Sequence, residues 1–374
     1  MADQRIAVAV VSEPGKAGVK RHVVDLLTRI DVEQYRVTYY YSLQRSDKAY
    51  AAELDAIGRR GIKCVEIPMA GELKPLEDMK ALLLLSFHLV RERPAVLHLH
   101  SSKAGGLGRL AAFLLLPRPR VLYTPHAMAC YRSRFYLMLE RVLGFLTHTL
   151  IAVSESERED FIRWAIPGGR RAQTIPLGVS VPSTTELPGA DKATWTVGTC
   201  GRISFQKNAL FFFEVAINAI RENSDVQFKW IGDFGDDEEA QAVKALLERA
   251  GSPPQIQVTG WVQDPETHIE SLDTFCMFSR YESFGYVTAE AMLLGIPVVA
   301  TPATGTVDLV RHEQTGLLVK PDAEAVARAI GRLKREPNLH ARLSAQAKTY
   351  VAEKFTIGGM VKSLEDLYSS SRGA

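Results

Sequence analysis

The sequence has few cysteines, no long apolar segment and no repeated or low-complexity tract. Its four cysteines, among 374 residues, are scattered singly without a C-x-x-C pair, so neither a zinc knuckle nor a disulfide framework is encoded. No apolar run reaches the roughly 18 to 20 residues that a membrane-spanning helix requires, and the runs 81–90 and 110–116 are more simply explained as packed helices. The first residues lack the basic region, apolar core and cleavage site of a secretory signal. We therefore expect a cytoplasmic protein.

The small net charge of +2 conceals an asymmetry between the two halves of the chain. Residues 1–180 contain 26 Lys or Arg against 18 Asp or Glu, a net +8, whereas residues 181–374 contain 19 against 25, a net −6. A basic front half favours an anionic substrate or surface as partner. A solvated face without a partner explains any single arginine there at least as well.

Short runs rich in Val, Ile and Leu alternate with longer helical patterns in both halves, which is typical of βα units and a mostly parallel sheet. The predicted strands are 6–11, 35–41, 64–67, 95–99, 120–123, 149–153, 196–200, 226–231, 256–259, 274–278 and 298–300. Between the two sets, residues 176–193 are rich in Pro, Gly, Ser and Thr and indicate an interdomain linker. The pattern predicts an α/β protein with two doubly wound sheets.

Two glycine-containing segments of the front half could bind a nucleotide. The turn from Gly15 to Gly18 opens a helix, whose N-terminal N–H groups could hold a phosphate, although such turns also contain glycine for geometric reasons alone. The segment 106-GLGRLA-111 has dinucleotide-fingerprint spacing. However, the next strand ends in 123-YTPHA-127 without the carboxylate that would hold a ribose. We therefore do not expect NAD.

Two cations follow the first strand of the back half. Arg202 and Lys207 lie five positions apart in 198-GTCGRISFQKN-208. Because ligands of open α/β sheets bind at the carboxyl ends of the strands, these side chains could converge on a diphosphate. The planar guanidinium and the compact ammonium suit non-equivalent phosphate oxygens. Two solvated loop charges are the alternative.

The acidic segment 233–237 resembles a metal-binding cluster. Carboxylates are, however, also favoured in the first turn of any helix, where they complement the N–H groups. The helical pattern that follows makes capping the preferred explanation, so we expect no metal.

The segment 281-YESFGYVTAEAMLLGIPVVATPATG-305 places Glu282 on a loop and Glu290 on the following helix. That helix is predicted from about Tyr286 to Leu294, because Gly295 and Pro297 end it. Carboxylates suit paired hydroxyls, whereas free N–H groups at a helix start suit phosphate oxygens. The predicted N–H donors are those of Phe284, Gly285, Tyr286 and Val287. A nucleoside diphosphate carrying a sugar would satisfy the whole set.

These motifs resemble those of the retaining family-4 glycosyltransferases, which have the GT-B fold and include bacterial polysaccharide and glycolipid enzymes. The E-x7-E motif appears as Glu282 to Glu290, the Gly-Arg-x4-Lys loop as residues 201–207, and the G-D-x-G loop as residues 232–235. The segments 17-AGVKRH-22, 260-GWV-262 and 314-QTGLLV-319 are also similar to family elements. The resemblance covers almost the whole chain.

The resemblance implies two Rossmann-like domains facing across a cleft. They comprise an acceptor domain over 1–178 and a donor domain over 179–355, and the C-terminal helix, 356–374, crosses back to the first domain. It implies that Glu290 binds the ribose, Glu282 the donor sugar, and Arg202 and Lys207 the diphosphate, with His126 near the reacting carbon. Further donor contacts are implied for these residues: Gly18, Val262, Phe284, Gly285, Tyr286 and Val287.

Two positions depart from the family pattern. Ala17 replaces the first glycine of the usual pair, which could alter how closely the front loop approaches the diphosphate or the acceptor. Lys20 replaces a common glutamate and is expected to add to the basic front face.

The expected activity is retaining, metal-independent hexosyl transfer from a nucleotide-diphosphate sugar, with UDP favoured by the family. The expected partners are this donor and a lipid-linked or saccharide acceptor of cell-surface polysaccharide synthesis, and no nucleic acid. The basic, aromatic segment 131–145 suggests an anionic surface, with the protein peripheral at the inner face of the cytoplasmic membrane. The alternatives are a nucleotide-sugar epimerase of the same fold and a non-catalytic subunit related to the transferases.

Overall fold

A computed structural model describes residues 3–13, 15, 17–127, 129–131, 133–180, 194–222 and 225–370. Close contacts divide the chain into two compact units. The first extends to Gly178 and includes the chain from Ile357 onward, whereas the second runs from Val179 to Thr356. Among the described residues, no helix is both long enough and apolar enough to cross a membrane.

The first unit is built on a seven-stranded parallel sheet of order β3-β2-β1-β4-β5-β6-β7. Its strands are β1 (Ile6–Ser12), β2 (Tyr35–Tyr41), β3 (Lys63–Glu66), β4 (Val96–His100), β5 (Arg120–Thr124), β6 (Thr149–Ala152) and β7 (Gln173–Thr174). Its connecting helices are α1 (Ala17–Leu27), α2 (Tyr50–Arg59), α3 (Pro75–Glu92), α4 (Ser102–Phe113), α5 (Arg134–Gly144) and α6 (Glu155–Arg163). Two 3₁₀ turns lie at Ala129–Tyr131 and Gly169–Arg171.

The second unit has a six-stranded parallel sheet of order β10-β9-β8-β11-β12-β13. Its strands are β8 (Trp195–Cys200), β9 (Val226–Ile231), β10 (Ile256–Val258), β11 (Thr274–Met277), β12 (Val298–Ala300) and β13 (Leu317–Leu318). Its helices are α7 (Ala209–Glu222), α8 (Glu238–Arg249), α9 (Pro265–Glu270), α10 (Tyr286–Leu293), α11 (Thr306–Leu309), α12 (Ala323–Arg335) and α13 (Pro337–Lys354).

The last helix, α14 (Ile357–Ser369), packs on the first unit against α1 and β1. The Tyr35 hydroxyl donates to the Glu365 carbonyl over 2.8 Å, and the buried Tyr368 hydroxyl lies 2.7 Å from His98 Nδ1. Arg120 donates to the Leu367 carbonyl. These contacts fix α14 along one edge of the first unit's hydrophobic core.

Both sheets reverse their strand order at one point, between β1 and β4 in the first unit and between β8 and β11 in the second. The central strands β1, β4 and β11 are almost wholly buried, which is typical of parallel sheets that are covered on both faces. In such sheets the carboxyl ends of the strands open a crevice at the reversal, where ligands bind. The predicted architecture of two Rossmann-like sheets is confirmed.

The structure differs from the sequence prediction in a few elements. The two-residue strands β7 and β13 were not predicted, because each is too short to give a periodic signal. The segment 106–111 lies inside helix α4 rather than in a strand-to-helix turn, so it has no dinucleotide-binding geometry. Most of the predicted linker, residues 181–193, lies outside the described residues.

Candidate active site

The carboxyl ends of β8 and β11 bring together a buried ion pair in the second unit. Lys207 Nζ donates to Glu282 Oε1 over 2.8 Å, and Ser279 Oγ donates to the same oxygen over 2.8 Å. Glu282 is buried and Lys207 is partly buried. Buried charges of this kind are retained when they are paired and hydrogen-bonded. The sequence places these residues 75 positions apart, and the sheet reversal makes them neighbours.

Two glycines allow the strand ends to approach this pair. A Cβ on Gly232 would lie 2.1 Å from the Gly201 carbonyl oxygen, and Gly232 has φ of +140°, which side chains other than glycine rarely adopt. A Cβ on Gly201 would lie 2.7 Å from Lys207 Cε. Glycine is therefore required at position 232 for β9 to pack closely against β8, and at position 201 to leave room for the Lys207 side chain.

Glu290 lies in the same region, on the buried side of α10. Burial raises the pKa of Cys200, the last residue of β8, to about 12. The nearby Lys207 charge partly opposes this increase in the Cys200 pKa, whereas the Glu290 charge adds to it. Both charges therefore lie near the end of β8. The E-x7-E spacing thus places two carboxylates at one sheet edge, with one of them paired to a lysine.

Helix α10 begins directly after this loop. Gly285 is its N-cap with φ of +95°, and Thr288 and Ala289 donate the first hydrogen bonds back to the Gly285 carbonyl. The N–H groups of Gly285, Tyr286 and Val287 precede those bonds, at the end where the helix dipole is positive. The structure therefore aims backbone donors at the crevice where an anionic group would bind.

Arg202 and Val262 lie at the rim of this edge. The Arg202 side chain is exposed and passes close to Gly235, whose added Cβ would lie 3.1 Å from Arg202 Cδ. Val262 lies two residues after Gly260, which forms an isolated β-bridge with Gly232. Within the described part of the chain, no hydrogen bond or ion pair of the Arg202 guanidinium is seen, so it is available to a ligand.

The acidic segment after β9 acts in helix capping. Asp237 is the N-cap of α8 and accepts a hydrogen bond from the Ala240 N–H over 3.0 Å, and its second oxygen accepts from the Phe205 N–H. Asp233 accepts from the Phe234 N–H. The capping explanation is therefore confirmed for Asp237.

In the first unit, four histidines gather at the carboxyl edge of the sheet. His22 comes from α1, His98 and His100 from β4, and His126 from the loop after β5. His100 Nδ1 lies 3.2 Å from His126 Nε2, and the His22 ring centroid lies 5.1 Å from that of His100 and 5.0 Å from that of His126. His126 has φ of +55°, a left-handed conformation that turns the chain sharply after β5.

Burial holds this cluster in its neutral form. It lowers the pKa of His22 to about 3 and lowers those of His98, His100 and His126 well below the usual range. Both ring nitrogens of His22, and Nε2 of His100, are buried without a hydrogen-bond partner among the described residues. Neutral imidazoles that lack partners can accept or donate a hydrogen bond to ligand hydroxyls. Nitrogens of His22, His100 and His126 also lie within 4.8 Å of one another, a set that could hold a transition metal.

The structure of the front loop bears on both departures from the family pattern. Ala17 has φ of +57°, a conformation that glycine adopts without strain, and Gly18 follows it as the second residue of α1. Lys20 Nζ lies 2.9 Å from carboxylate oxygens of both Asp47 and Glu53. The expectation that Lys20 adds to a basic face was therefore wrong, because two local carboxylates neutralise it.

Two family models match successive parts of the chain. "Glycosyltransferase Family 4" matches residues 17–181 and "Glycosyl transferases group 1" matches residues 194–336. The chain belongs to the family-4 glycosyltransferases. The matched segments contain both groups described above, the histidine cluster in the first segment and the Lys207–Glu282 pair in the second.

Curated relatives of this glycosyltransferase include bacterial polysaccharide enzymes. It is 24% identical over 324 residues to the capsular polysaccharide biosynthesis glycosyltransferase CapM of Staphylococcus aureus, a match covering 81% of this chain and 84% of CapM. It is 26% identical over 311 residues to the Escherichia coli UDP-Gal:alpha-D-GlcNAc-diphosphoundecaprenol alpha-1,3-galactosyltransferase, covering 78% of this chain and 80% of the relative.

Solved structures confirm the GT-B fold of this family-4 glycosyltransferase. Anabaena HepE in complex with UDP and glucose has a TM-score of 0.79 at 19% identity and covers 98% of this chain and all of HepE. The lipopolysaccharide outer core galactosyltransferase WaaB has a TM-score of 0.72 at 17% identity, covering 98% of this chain and 99% of WaaB.

Sequence reasoning missed several buried polar residues of this glycosyltransferase's first unit. His98 and His100 occupy alternate positions of β4, a spacing that puts both side chains on one face and could have indicated the cluster. Glu13, directly after β1, is buried and paired with Arg45 over 3.1 Å. The roles predicted for the donor-side residues and for His126 stay predictions.

Proposed function

We propose that this glycosyltransferase moves a hexosyl group from a UDP-sugar to a lipid-linked or saccharide acceptor, with retention at the anomeric carbon and without a metal. Its proposed setting is the assembly of bacterial cell-surface polysaccharide, on the cytoplasmic side of an anionic membrane. The observation that carries the proposal is the Lys207–Glu282 pair beside the start of α10. This arrangement offers a cation, a carboxylate and helix N–H groups within one crevice.

In the proposed donor complex, Lys207, Arg202 and the first N–H groups of α10 bind the diphosphate. Glu290 accepts hydrogen bonds from the ribose and Glu282 from the sugar. Departure of UDP increases the negative charge on the diphosphate, and preorganised cations and N–H dipoles stabilise that charge in the transition state. Losing one such donor typically reduces kcat by about a hundredfold or more.

The proposed chemistry occurs on one face of the sugar. The bond from the anomeric carbon to the phosphate oxygen breaks, the acceptor oxygen forms a bond to the same carbon, and the acceptor proton passes to the departing phosphate oxygen. His126, neutral at pH 7 because burial lowers its pKa, would hydrogen-bond the sugar rather than carry a charge. No carboxylate is assigned as a covalent nucleophile.

The neighbours support UDP as the nucleotide. HepE was solved with UDP and glucose, and the Escherichia coli relative is named for a UDP-galactose donor and a diphosphoundecaprenol acceptor. A diphosphate-linked lipid acceptor accords with the basic first half of this chain.

Thermal stability against UDP-, GDP-, ADP- and dTDP-sugars tests the donor site, because a ligand that binds only the folded state raises Tm by mass action. We expect a shift with a UDP-sugar that is lost in Arg202→Ala and Glu290→Ala. Lys229→Ala, on β9 and hydrogen-bonded to Ser271, is the matched control and should keep the shift. A well-folded protein with no shift for any donor would contradict the proposal.

The reaction itself is tested with donor and acceptor together. NMR of the product should show the anomeric configuration of the donor. Product from donor alone, with an epimerised sugar, would instead establish the isomerase alternative. A glycosyl-enzyme adduct trapped and found by mass spectrometry would contradict the one-face mechanism.

A further inference from the structure

Helix α3 has two apolar faces, and within the described part of the chain only one of them is covered. Ala81, Leu85 and Leu89 are buried in the core of the first unit. A second set of large apolar side chains is 53–82% exposed. It comprises Leu76, Met79, Leu83, Phe87 and Val90. Their spacings of three or four residues place them on one stripe of the helix. The sequence expectation that 81–90 is simply a packed helix was therefore incomplete.

Apolar side chains are also exposed at the end of α4 and along one side of α5. After α4, Leu114 and Leu116 are exposed, as is Phe113 within it. The exposed residues of α5 are Phe135, Met138 and Val142, and Phe145 directly follows the helix; the four side chains are 54–82% accessible. These four also follow helical spacing, so they form one stripe, whereas Glu140 and Leu143 of the same helix are buried.

These exposed residues belong to adjoining helices. Helix α3 packs against α4, and α4 packs against α5. Phe113, Arg118 and Phe145 line one surface pocket, which joins the ends of α4 and α5. We call the exposed apolar side chains of α3, α4 and α5, together with Leu114, Leu116 and Phe145, the apolar face. Large exposed apolar patches mark interaction sites, because monomeric soluble proteins rarely leave them in water.

The charges around the apolar face are positive. Residues 74–145 contain 11 Lys or Arg against 4 Asp or Glu, a net charge of +7. Each of the four carboxylates is paired with a base, in the pairs Glu77–Lys74, Asp78–Lys103, Glu92–Lys63 and Glu140–Arg109. Exposed cations remain at Lys80, Arg91, Arg93, Arg118 and Arg134.

Two of these arginines lie directly over aromatic rings of the apolar face. Arg91 Cζ is 5.4 Å from the ring centroid of Phe87, and Arg118 Cζ is 4.7 Å from that of Phe113. A long cationic side chain beside an exposed ring suits the boundary between acyl chains and headgroups, where the ring enters the apolar layer and the charge stays at the phosphates. A protein partner would need a complementary acidic surface as well as an apolar one.

We propose that the apolar face docks on an anionic phospholipid bilayer, with the stripes of α3 and α5 inserted at the acyl boundary and the surrounding Lys and Arg contacting lipid phosphates. This inference rests on the membrane part of the proposed function and assigns the surface that carries it. Interfacial binding of this kind combines buried apolar area with attraction to anionic lipid.

Sedimentation with vesicles tests the surface. The probes are vesicles of phosphatidylcholine alone and vesicles that also contain the anionic lipid phosphatidylglycerol, whose negative surface potential attracts Lys and Arg. We expect the wild type to bind the anionic vesicles and to lose most of that binding at high salt. Phe135→Ser with Phe145→Ser should lower the partition coefficient at least about tenfold, because two large side chains no longer enter the apolar layer.

Matched controls separate the surface from general effects. Ile162→Ser changes an exposed apolar residue of α6 in the same unit and should leave vesicle binding unchanged. Arg91→Glu with Arg118→Glu should weaken binding to anionic vesicles, whereas Lys362→Glu, on α14, should not. Donor-induced Tm shifts, measured without lipid, should be the same in all variants, so failure of the donor site and failure of the surface are distinguishable.

Three results would overturn the inference: no binding of the wild type to anionic vesicles, equal binding of the double phenylalanine variant, or a dimer in lipid-free solution that this variant dissociates. The last would assign the apolar face to a second copy of the chain.

Discussion

Acidification should destabilise the first unit through its buried histidines. His22, His98, His100 and His126 have pKa values lowered by burial, whereas an unfolded histidine has a pKa near 6.5. The cluster is covered on one side by Tyr368 of α14, whose hydroxyl contacts His98. Below pH 6.5 the unfolded chain therefore binds protons that the folded chain does not. The contribution of the neutral histidines to the free energy of unfolding is fully present above about pH 6.5, and it is lost as the pH falls toward the folded pKa, which is about 3 for His22.

The size of the effect follows from proton linkage. For one histidine with folded pKa near 3, lowering the pH from about 7 to about 5.5 removes about 1 kcal/mol of the free energy of unfolding. His98, His100 and His126, whose pKa values burial also lowers, add losses in the same direction, so the cluster is expected to remove on the order of a few kcal/mol, a large part of the stability of a typical domain. Replacing His22 by Leu should therefore reduce the pH-dependent loss by about 1 kcal/mol.

Equilibrium unfolding in urea at the two pH values measures this loss. A brief hydrogen-exchange pulse at one common pH, read in peptides from β4, reports on the first unit alone. His22→Leu is a suitable variant because neither His22 nitrogen has a hydrogen-bond partner among the described residues. His268→Gln, on α9 of the second unit, is the control and should keep the whole loss. Equal losses in the wild type and His22→Leu would refute the reasoning.

Three further predictions concern single side chains. Lys207→Ala should lower the free energy of unfolding, measured in urea titrations, by about 2 kcal/mol, because it leaves the buried Glu282 with an unpaired charge. The partial exposure of Lys207 limits the size of this loss. Adding Glu282→Gln should recover most of the loss, and no recovery would contradict the pairing. Ala17→Gly should raise the free energy of unfolding by up to about 1 kcal/mol, and therefore raise Tm, because φ of +57° is strained for alanine. A lower Tm would show that this strain is absent. Arg109→Ala should destabilise by about 3 to 5 kcal/mol, since Arg109 and Glu140 are both buried and 2.8 Å apart; a loss below about 1 kcal/mol would mean that Glu140 is neutral or hydrated without its partner.

The positions in the fold of the residues predicted to contact the donor could be placed from the sequence, because their signals are local. Glu282 and Glu290 lie on one loop and the helix that follows it, and Arg202 and Lys207 lie on one loop after a strand. Parallel strands end at a common edge, so a residue's position after its strand predicts its place in the fold. The Lys207–Glu282 contact itself was not predicted, because it depends on which strands become neighbours.

The histidine cluster and the apolar face required the tertiary structure. His22, His100 and His126 come from three elements, and no sequence spacing brings their ring nitrogens together. The apolar face was hidden because a sequence pattern gives the polarity of a helix face but not whether another element covers it. Segments 81–90 and 110–116 were therefore interpreted as packed helices, although eight of their twelve large apolar side chains are exposed.

The sequence by itself determined the fold class, the strand-ending loops and the family, because hydrophobic period, glycine placement and the E-x7-E spacing are properties of short segments. Only the tertiary structure decided which charges pair, which histidines lose water and which apolar side chains stay exposed. Those outcomes depend on the order of strands in each sheet and on the packing of distant elements, and solvation energies follow from that packing rather than from local sequence.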